Sequence, residues 1–375
     1  MKFAFSEEQD ELRAAVRRFL EDKSPEAEVR RLMDTAEGYD PAVWAQMAAQ
    51  LELQGLIIPE EFGGCGFGFV ELTVVLEEMG RALLCAPYFS SVALATNLLL
   101  SCDDAEAKKD FLPGIAAGTT TATVALTEES GRLDEPGVTL GATRAGNGWA
   151  LTGEKMYVFD GHTADLVLVA ARAAAGVSVF AVERGAPGLV ATPLEVLDQT
   201  RKQARLSFDA TPARLVGAEG QGWPSLERML DLAAVALAAE QVGGAQRVLD
   251  MAVEYAKVRM QFGRPIGGFQ AIKHKCAELL LEVESARSAA YYAGWAAAGL
   301  TEQDTDELPA VASLAKAYCS DAYTHAATEN IQIHGGIGFT WEHPAHLYYK
   351  RARTSEVLLG DPSHHRELFA RRIGI

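Results

Sequence analysis

Thr119-Thr120-Thr121-Ala122-Thr123-Val124-Ala125-Leu126 marks the place where the character of the chain changes. β-Branched and small apolar residues follow one another there without helical spacing, which predicts a strand. Four further runs have the same short apolar or alternating character, at residues 149–159, 166–171, 177–182 and 205–208, and Gly, Pro, Asn and Asp part them. Short strands at that spacing predict a small antiparallel barrel or sandwich.

Upstream of this stretch the pattern is helical. Ser6, followed by Glu8 and Gln9 and then by Leu12, Val16, Phe19 and Leu20, reads as an N-cap opening an amphipathic helix, with acid in the first turn where the helix dipole favours it. Helical spacing returns at residues 41–54 and 70–84. Between these two, Ile57-Ile58-Pro59-Glu60-Glu61-Phe62-Gly63-Gly64-Cys65-Gly66 breaks any helix and reads as a tight loop. Beyond Gly222, long helices are expected over residues 224–260, 269–298, 308–333 and 344–358, with a short one over 363–372; Pro224 and Gly263 bracket the longest. The expected fold class is α+β: an N-terminal all-helical domain (residues 1–117), a middle antiparallel β domain (118–222) and a C-terminal helical bundle and oligomerisation domain (223–375). No βαβ alternation appears, so a parallel nucleotide-binding sheet is disfavoured.

Charge narrows the function. Against 34 Lys and Arg stand 51 Asp and Glu, a formal charge of −17 over 375 residues, and nucleic-acid binding needs the opposite sign. Half of the chain is hydrophobic (49%), enough for a large core, so disorder as the main state is excluded. Cys65, Cys85, Cys102, Cys276 and Cys319 are odd in number and scattered, which suits neither a disulfide framework nor a zinc site. Met1-Lys2-Phe3-Ala4-Phe5 lacks the features of a secretory signal, so a mature chain starting there in the cytoplasm is expected. Residues 230–239 are the most apolar stretch, but Asp231 interrupts it and Glu240 closes it; a buried helix is expected and no membrane span.

Two segments stand out chemically. In Arg259-Met260-Gln261-Phe262-Gly263-Arg264-Pro265-Ile266, followed by Phe269-Gln270-Ala271-Ile272-Lys273-His274, two arginines flank a glycine turn between long helices. That pattern suits either solvated cations on a helix–helix turn or guanidinium forks gripping a diphosphate. Gln332-Ile333-His334-Gly335-Gly336-Ile337-Gly338-Phe339 is a glycine-rich break after a helix, and glycines also end helices for conformational reasons alone.

Together and in this order, with the Pro-Glu-Glu-Phe-Gly-Gly loop and Glu77-Glu78-Met79-Gly80-Arg81, these segments resemble the acyl-CoA dehydrogenase family over essentially the whole chain. The resemblance implies oligomeric enzymes, tetramers or dimers of dimers, that hold FAD between the β-region and the C-terminal helices, desaturate acyl-CoA thioesters and pass electrons to an acceptor flavoprotein. It further implies that Arg259 and Phe262 meet the FAD diphosphate and adenine side across a subunit interface, with Gln270 nearby. Gln332, Gly335 and Gly336 would line the adenosine end from a neighbouring subunit.

In the β-region, Ala125-Leu126-Thr127-Glu128 matches the family strand whose threonine faces the flavin pyrimidine ring, where reduction places negative charge. Tyr157, in Lys155-Met156-Tyr157-Val158-Phe159-Asp160-Gly161, takes the family's aromatic position behind the flavin. Two departures stand beside these matches. Glu129-Ser130-Gly131-Arg132-Leu133-Asp134 replaces a Gly-Ala-Gly-Ser-Asp-like loop that cups the ring edge and CoA, and Phe159 replaces a threonine whose hydroxyl bonds flavin N5. A phenyl ring cannot donate that bond.

The family's reaction removes an α-proton from the thioester while the β-hydride leaves, and its base is a carboxylate, whose pKa desolvation raises toward the working range. Here Leu359 sits before Gly360 where the usual Glu would be, and Ala233 occupies the alternative position on the long helix. Two other carboxylates are candidate bases. Glu240 lies seven residues after Ala233, about 20° around the helix and roughly 10 Å further along it, and is either a base or an ion-paired structural carboxylate. Asp361 is either a base, an N-cap for the last helix or a partner of Arg351 or Arg353. Adjacent His364 and His365 diverge on a helix, so no shared metal is expected.

The leading expectation is an FAD-dependent acyl-CoA dehydrogenase-like oxidoreductase, assembled as a homo-oligomer or as the base-lacking half of a heteromer with a glutamate-bearing paralogue. A non-catalytic FAD or acyl-CoA binding partner subunit, and a flavin monooxygenase on the same fold, are the alternatives.

Overall fold

A computed structural model describes residues 6–300 and 307–375. The reading of residues 1–5 as a start without a signal lies outside them, as do residues 301–306 of the expected bundle. The helices in chain order up to the strands are α1 (Glu7–Lys23), α2 (Glu26–Met33), α3 (Pro41–Leu51), α4 (Phe69–Arg81), a π-helical segment (Phe89–Thr96) running into α5 (Asn97–Ser101), and α6 (Ala105–Ala116). Then come β1 (Ala122–Ala125), β2 (Gly141–Ala145), β3 (Gly148–Phe159), β4 (Leu166–Ala173), β5 (Gly176–Glu183), β6 (Leu189–Pro193) and β7 (Gln203–Val216). After them follow α7 (Gly222–Val258), a hairpin of β8 (Met260–Gln261) and β9 (Arg264–Pro265), α8 (Gln270–Ala297), α9 (Leu308–His334), α10 (Ala345–Val357) and α11 (Pro362–Arg372).

Packing groups the chain into two compact units. A helical unit gathers Met1–Arg30, Phe69–Leu84 and Ala234–Ile375, and a mixed unit gathers Arg31–Gly68 and Cys85–Ala233. In the helical unit, α1 opens with a capping box: Ser6 Oγ accepts from the Gln9 amide (3.3 Å) and Gln9 Oε1 accepts from the Ser6 amide (3.0 Å). α4 and α7 cross with their backbones touching. A Cβ at Gly80 would collide with the Glu240 carbonyl, and one at Gly243 with the Glu77 carbonyl, so glycines on both sides set this approach.

The strands of the mixed unit close on themselves. The order β4-β2-β3-β7-β5 returns to β4, making a small barrel, with β1 beside β4 and β6 beside β7. Most pairings are antiparallel as expected, but β1 runs parallel to β4, from Ala122 opposite Leu166 to Ala125 opposite Val169, and β2 meets β4 in parallel at Gly141 and Arg172. Leu151, Val167, Val169, Phe180, Leu206 and Phe208 fill the interior, and Trp149 meets Phe180 edge-to-face at 5.2 Å. Such an aromatic pair adds about 0.5–1.5 kcal/mol beyond the area it buries.

Two boundaries differ from the sequence reading, and one element escapes it, for physical reasons. β7 is far longer than residues 205–208 because its second half, with Asp209, Pro212 and Arg214, pairs with β3 and β5 without an apolar signature. The π-helical segment is buried all round, so no polar face betrays its period, and Thr96 Oγ1 donates to Ser91 O at 3.0 Å, five residues back. α7 stops at Val258, and Gly263 belongs to the hairpin that follows rather than to a helix cap.

Candidate functional site

In the mixed unit the expected flavin-ring residues sit side by side. Met156 N donates to Thr127 O at 2.8 Å, which ties the end of β1 to β3 just before Tyr157. The register of β3 against β7 slips between Lys155 and Val158, and in that bulge Tyr157 adopts φ +58 and leaves its ring 47% exposed. Bulges re-aim side chains in this way. Beneath the pair, the fully buried Lys155 donates to Leu126 O (2.9 Å) and to Glu128 Oε1 (2.7 Å). Glu128 also accepts from the amides of Thr139 (2.8 Å) and Leu140 (2.9 Å) and from the Thr139 hydroxyl. Burial works to raise the Glu128 carboxyl, but the Lys155 ammonium and these donors outweigh it and hold it down at about 2.

Phe159 brings no donor. It is buried, edge-to-face with Phe89 at 5.7 Å, and the Arg201 guanidinium lies 4.9 Å from the Phe89 ring centre and 5.8 Å from that of Phe159. The loop carrying Arg132 and Asp134, joined at 2.5 Å, borders a hollow of about 390 Å³ with Glu128, Ser130, Thr139 and Met156.

In the helical unit the arginine turn is a finger. Phe262 and Gly263 have φ +51 and +77, the pair of left-handed residues that a tight two-residue hairpin with native twist requires. Phe262 at its tip is 90% exposed, 6.0 Å from the Phe269 ring, over which the Arg264 guanidinium sits at 4.1 Å. Arg259 is fixed by its backbone, donating to Tyr255 O and accepting from Ile266 N, both at 2.8 Å, and its side chain is exposed, as is Gln270 at the start of α8.

The glycine break lies at the same end of this unit. His334, immediately before Gly335, stacks on Tyr255 at 4.3 Å, and Tyr255 is one turn before Arg259. Gln332, Gly335 and Gly336 are exposed, and open space surrounds the positions that Cβ atoms would take at both glycines. The donor set, guanidinium, carboxamides and bare backbone, fits a dinucleotide's phosphates and ribose.

The two candidate carboxylate bases lie in this unit too. Glu240 is 5% exposed and Arg351 Nη1 donates to its Oε1 at 2.7 Å. Asp361 caps α11, its Oδ1 accepting from the His364 amide at 2.7 Å. Leu359, in the turn between α10 and α11, has φ +57, and Ala233 is fully buried in the mixed unit's part of α7. The Glu77-Glu78-Met79-Gly80-Arg81 motif has a structural account: Arg13 (2.7 Å), Arg287 and Tyr291 (2.5 Å) surround Glu77, Arg17 binds Glu78 at 2.8 and 2.7 Å, and Arg81 pairs with Asp250 at 2.7 Å. Sequence reasoning passed over Lys316, a buried lysine on α9. Its signal was a cation between Ala312, Ala315, Cys319 and Ser320 on an otherwise small and apolar face. No helix among the described residues is long and apolar enough to cross a membrane.

Comparison with known proteins decides the family. The acyl-CoA dehydrogenase N-terminal, middle and C-terminal domain models match residues 6–119, 123–211 and 220–374. Acyl-CoA dehydrogenase IpdE2 of Mycolicibacterium smegmatis is 36% identical over 360 residues, 95% of this chain and 96% of that protein. The chain belongs to the acyl-CoA dehydrogenase family. The members of this family are flavoenzymes that carry out oxidoreductase chemistry. Among solved structures, the ChsE4-ChsE5 complex from Mycobacterium tuberculosis matches with a TM-score of 0.90 at 28% identity over 100% of this chain and 99% of that one. A variant of the Tcur3481-Tcur3483 steroid ACAD matches with a TM-score of 0.87 at 31% identity over 98% of both chains. The expected fold class, with helices either side of a β-barrel, is that of this acyl-CoA dehydrogenase family.

Proposed function

We propose that this chain is the base-lacking subunit of a heteromeric, FAD-dependent acyl-CoA dehydrogenase. The observation that carries the reading is the occupation of both candidate carboxylates: Glu240 is paired with Arg351, Asp361 serves as a helix cap, and Leu359 and Ala233 offer none. Two structural relatives are named for pairs of different chains, which supports assembly with a second chain that carries the base.

Bound FAD would supply the hydride acceptor. The chain's own residues hold and tune it. Thr127 would offer a hydroxyl to the pyrimidine edge of the flavin, where charge develops on reduction, and the exposed Tyr157 would offer an aromatic face to the ring system. Arg259 would offer its guanidinium fork to the diphosphate, with Phe262 and Gln270 toward the adenine; Gln332 and the backbone at Gly335 and Gly336 of another copy would serve the adenosine end. The substrate class is an acyl-CoA thioester, and an electron-accepting flavoprotein reoxidises the complex.

The test is the visible spectrum of the pure protein, alone and co-expressed with a glutamate-bearing paralogue, before and after anaerobic addition of acyl-CoA esters. A yellow complex that bleaches only when the second chain is present is expected. Rapid bleaching of the homomer by a straight-chain acyl-CoA would overturn the subunit role; a colourless protein would favour a non-catalytic binding partner; oxygen-dependent consumption of reduced flavin with a phenol or amine would favour a monooxygenase.

A further inference from the structure

The turn between α10 and α11, within the helical unit, is held from three directions. Lys316, fully buried on α9, places Nζ 3.2 Å from Glu356 O, 3.1 Å from Gly360 O and 2.9 Å from Ser320 Oγ. Its three protons thus meet three acceptors, and two of these are the carbonyls on either side of the Val357-Leu358-Leu359 segment. His365, buried in the first turn of α11, has Nε2 2.9 Å from the carbonyl of Leu359 itself. Gly360, at φ +101, leaves no room for a Cβ against the His364 ring. Between these grips Leu359 is kept at φ +57, a backbone conformation that an L-residue holds only where its surroundings impose it.

Helix capping alone does not call for this arrangement. A lysine at the solvent-exposed rim of α10 could satisfy its last carbonyls while keeping its water. Lys316 instead loses its hydration among neutral acceptors, and burial pushes its pKa down to about 8. The lysine holds the carbonyls of Glu356 and Gly360 on either side of the segment, and the histidine meets that of Leu359 inside it.

We propose that Lys316, seconded by His365, is a positioning residue that fixes the direction in which the side chain at position 359 leaves the chain. The proposal rests on the reading that this turn borders the acyl substrate, and it deepens that reading: the scaffold for a base is retained although the residue presented is Leu. Lys316 touches no substrate atom and acts through the turn.

The first measurement is hydrogen exchange by mass spectrometry on full-length Lys316→Met. Peptides covering residues 356–362 are expected to exchange about tenfold faster than in the parent while the remainder of α9 and the barrel strands are unchanged, because only the local opening equilibrium is shifted. Unaltered protection of 356–362, or loosening spread evenly along α9 and α11, would overturn the proposal. Lys316→Gln, which keeps two N–H donors, serves if the methionine variant does not fold; failure of both would make Lys316 a general determinant of folding and refute the specific role. The second measurement places Leu359→Glu in the parent and in Lys316→Met and follows anaerobic flavin bleaching by acyl-CoA. The single variant is expected to bleach, and the double variant at least about tenfold more slowly with the same half-saturating acyl-CoA concentration, as for a displaced but intact base. Equal rates would count against positioning. Local loosening at 356–362 with no bleaching by Leu359→Glu would leave the clamp standing and refute the reading of the turn as the substrate-facing site.

Discussion

Glu240 and Arg351 form a buried ion pair, 2.7 Å from carboxylate to guanidinium, with side chains 6% and 3% exposed. A pair so placed contributes little net stability, because desolvation offsets most of the attraction, yet either charge alone in that interior is costly. Arg351→Met is therefore expected to destabilise the fold by about 3–5 kcal/mol, whereas Glu240→Met combined with Arg351→Met returns close to the parent. Urea unfolding of the two singles and the double checks this. A mild Arg351→Met effect would mean that the Glu240 carboxyl is neutral or otherwise solvated, and would reopen its candidacy as a base.

The α4–α7 crossing makes a sharper demand on Gly243. A methyl there meets the Glu77 carbonyl, backbone that cannot swing aside, and overpacking of this kind costs about 1–3 kcal/mol. Gly336→Ala, which meets open space, is expected to leave the melting temperature unchanged. If the glycine break serves a ligand, Gly336→Ala weakens FAD retention instead, so melting of the flavin-free protein and FAD titration separate the two glycines.

How much of this was legible in the residues follows from what each residue needs. Ser6 with Gln9 announced its helix correctly because capping is a local transaction between a side chain and amides three residues away. The left-handed pair Phe262-Gly263 was legible as a turn, though not as a hairpin, since Gly fixes the φ and only the backbone of Arg259 and Ile266 closes the base. The parallel course of β1 against β4 could not be read, because residues 122–125 and 166–169 have the same apolar pattern in either direction. The partners of Glu240 and Lys316 lie 111 and 44 residues away in sequence, and no periodicity connects them. Spacing offers no grouping of Arg259, Gln332 and Gly335 either; the proposal that they share one ligand rests on the family resemblance alone.

Glu128 sets an acid limit on the barrel. Its carboxyl is held at about 2, down from the ordinary 4.5, so the folded state binds its proton less readily than the unfolded chain does. The stabilisation is complete above the unfolded value and disappears as pH falls through the folded one, in the window from 4.5 to about 2. Glu128→Gln should lower stability at neutral pH, because the Lys155 ammonium loses its partner, and should flatten the slope of stability against pH in that window by up to one proton. Unfolding midpoints at pH 7, 5, 4 and 3 for parent and variant measure the difference. Parallel curves would show that Glu128 titrates normally.

Phe262 carries the last expectation. An aromatic residue 90% exposed at the tip of this hairpin, meeting only the edge of Phe269, gains little for the single chain, since most of it is not removed from water. A ring held out in this way contributes only when another surface covers it, and the rigid tip limits the entropy lost on docking. Phe262→Asp should therefore leave the midpoint of urea unfolding of the isolated chain unchanged while shifting sedimentation toward smaller species. Arg259→Lys, with the same charge but no planar fork, should keep the assembly and weaken FAD by about ten- to a hundredfold, the order expected for losing one bidentate charged contact. If Phe262→Asp instead melts the chain, the finger is part of the fold; if Arg259→Lys binds FAD as the parent does, the diphosphate is held elsewhere.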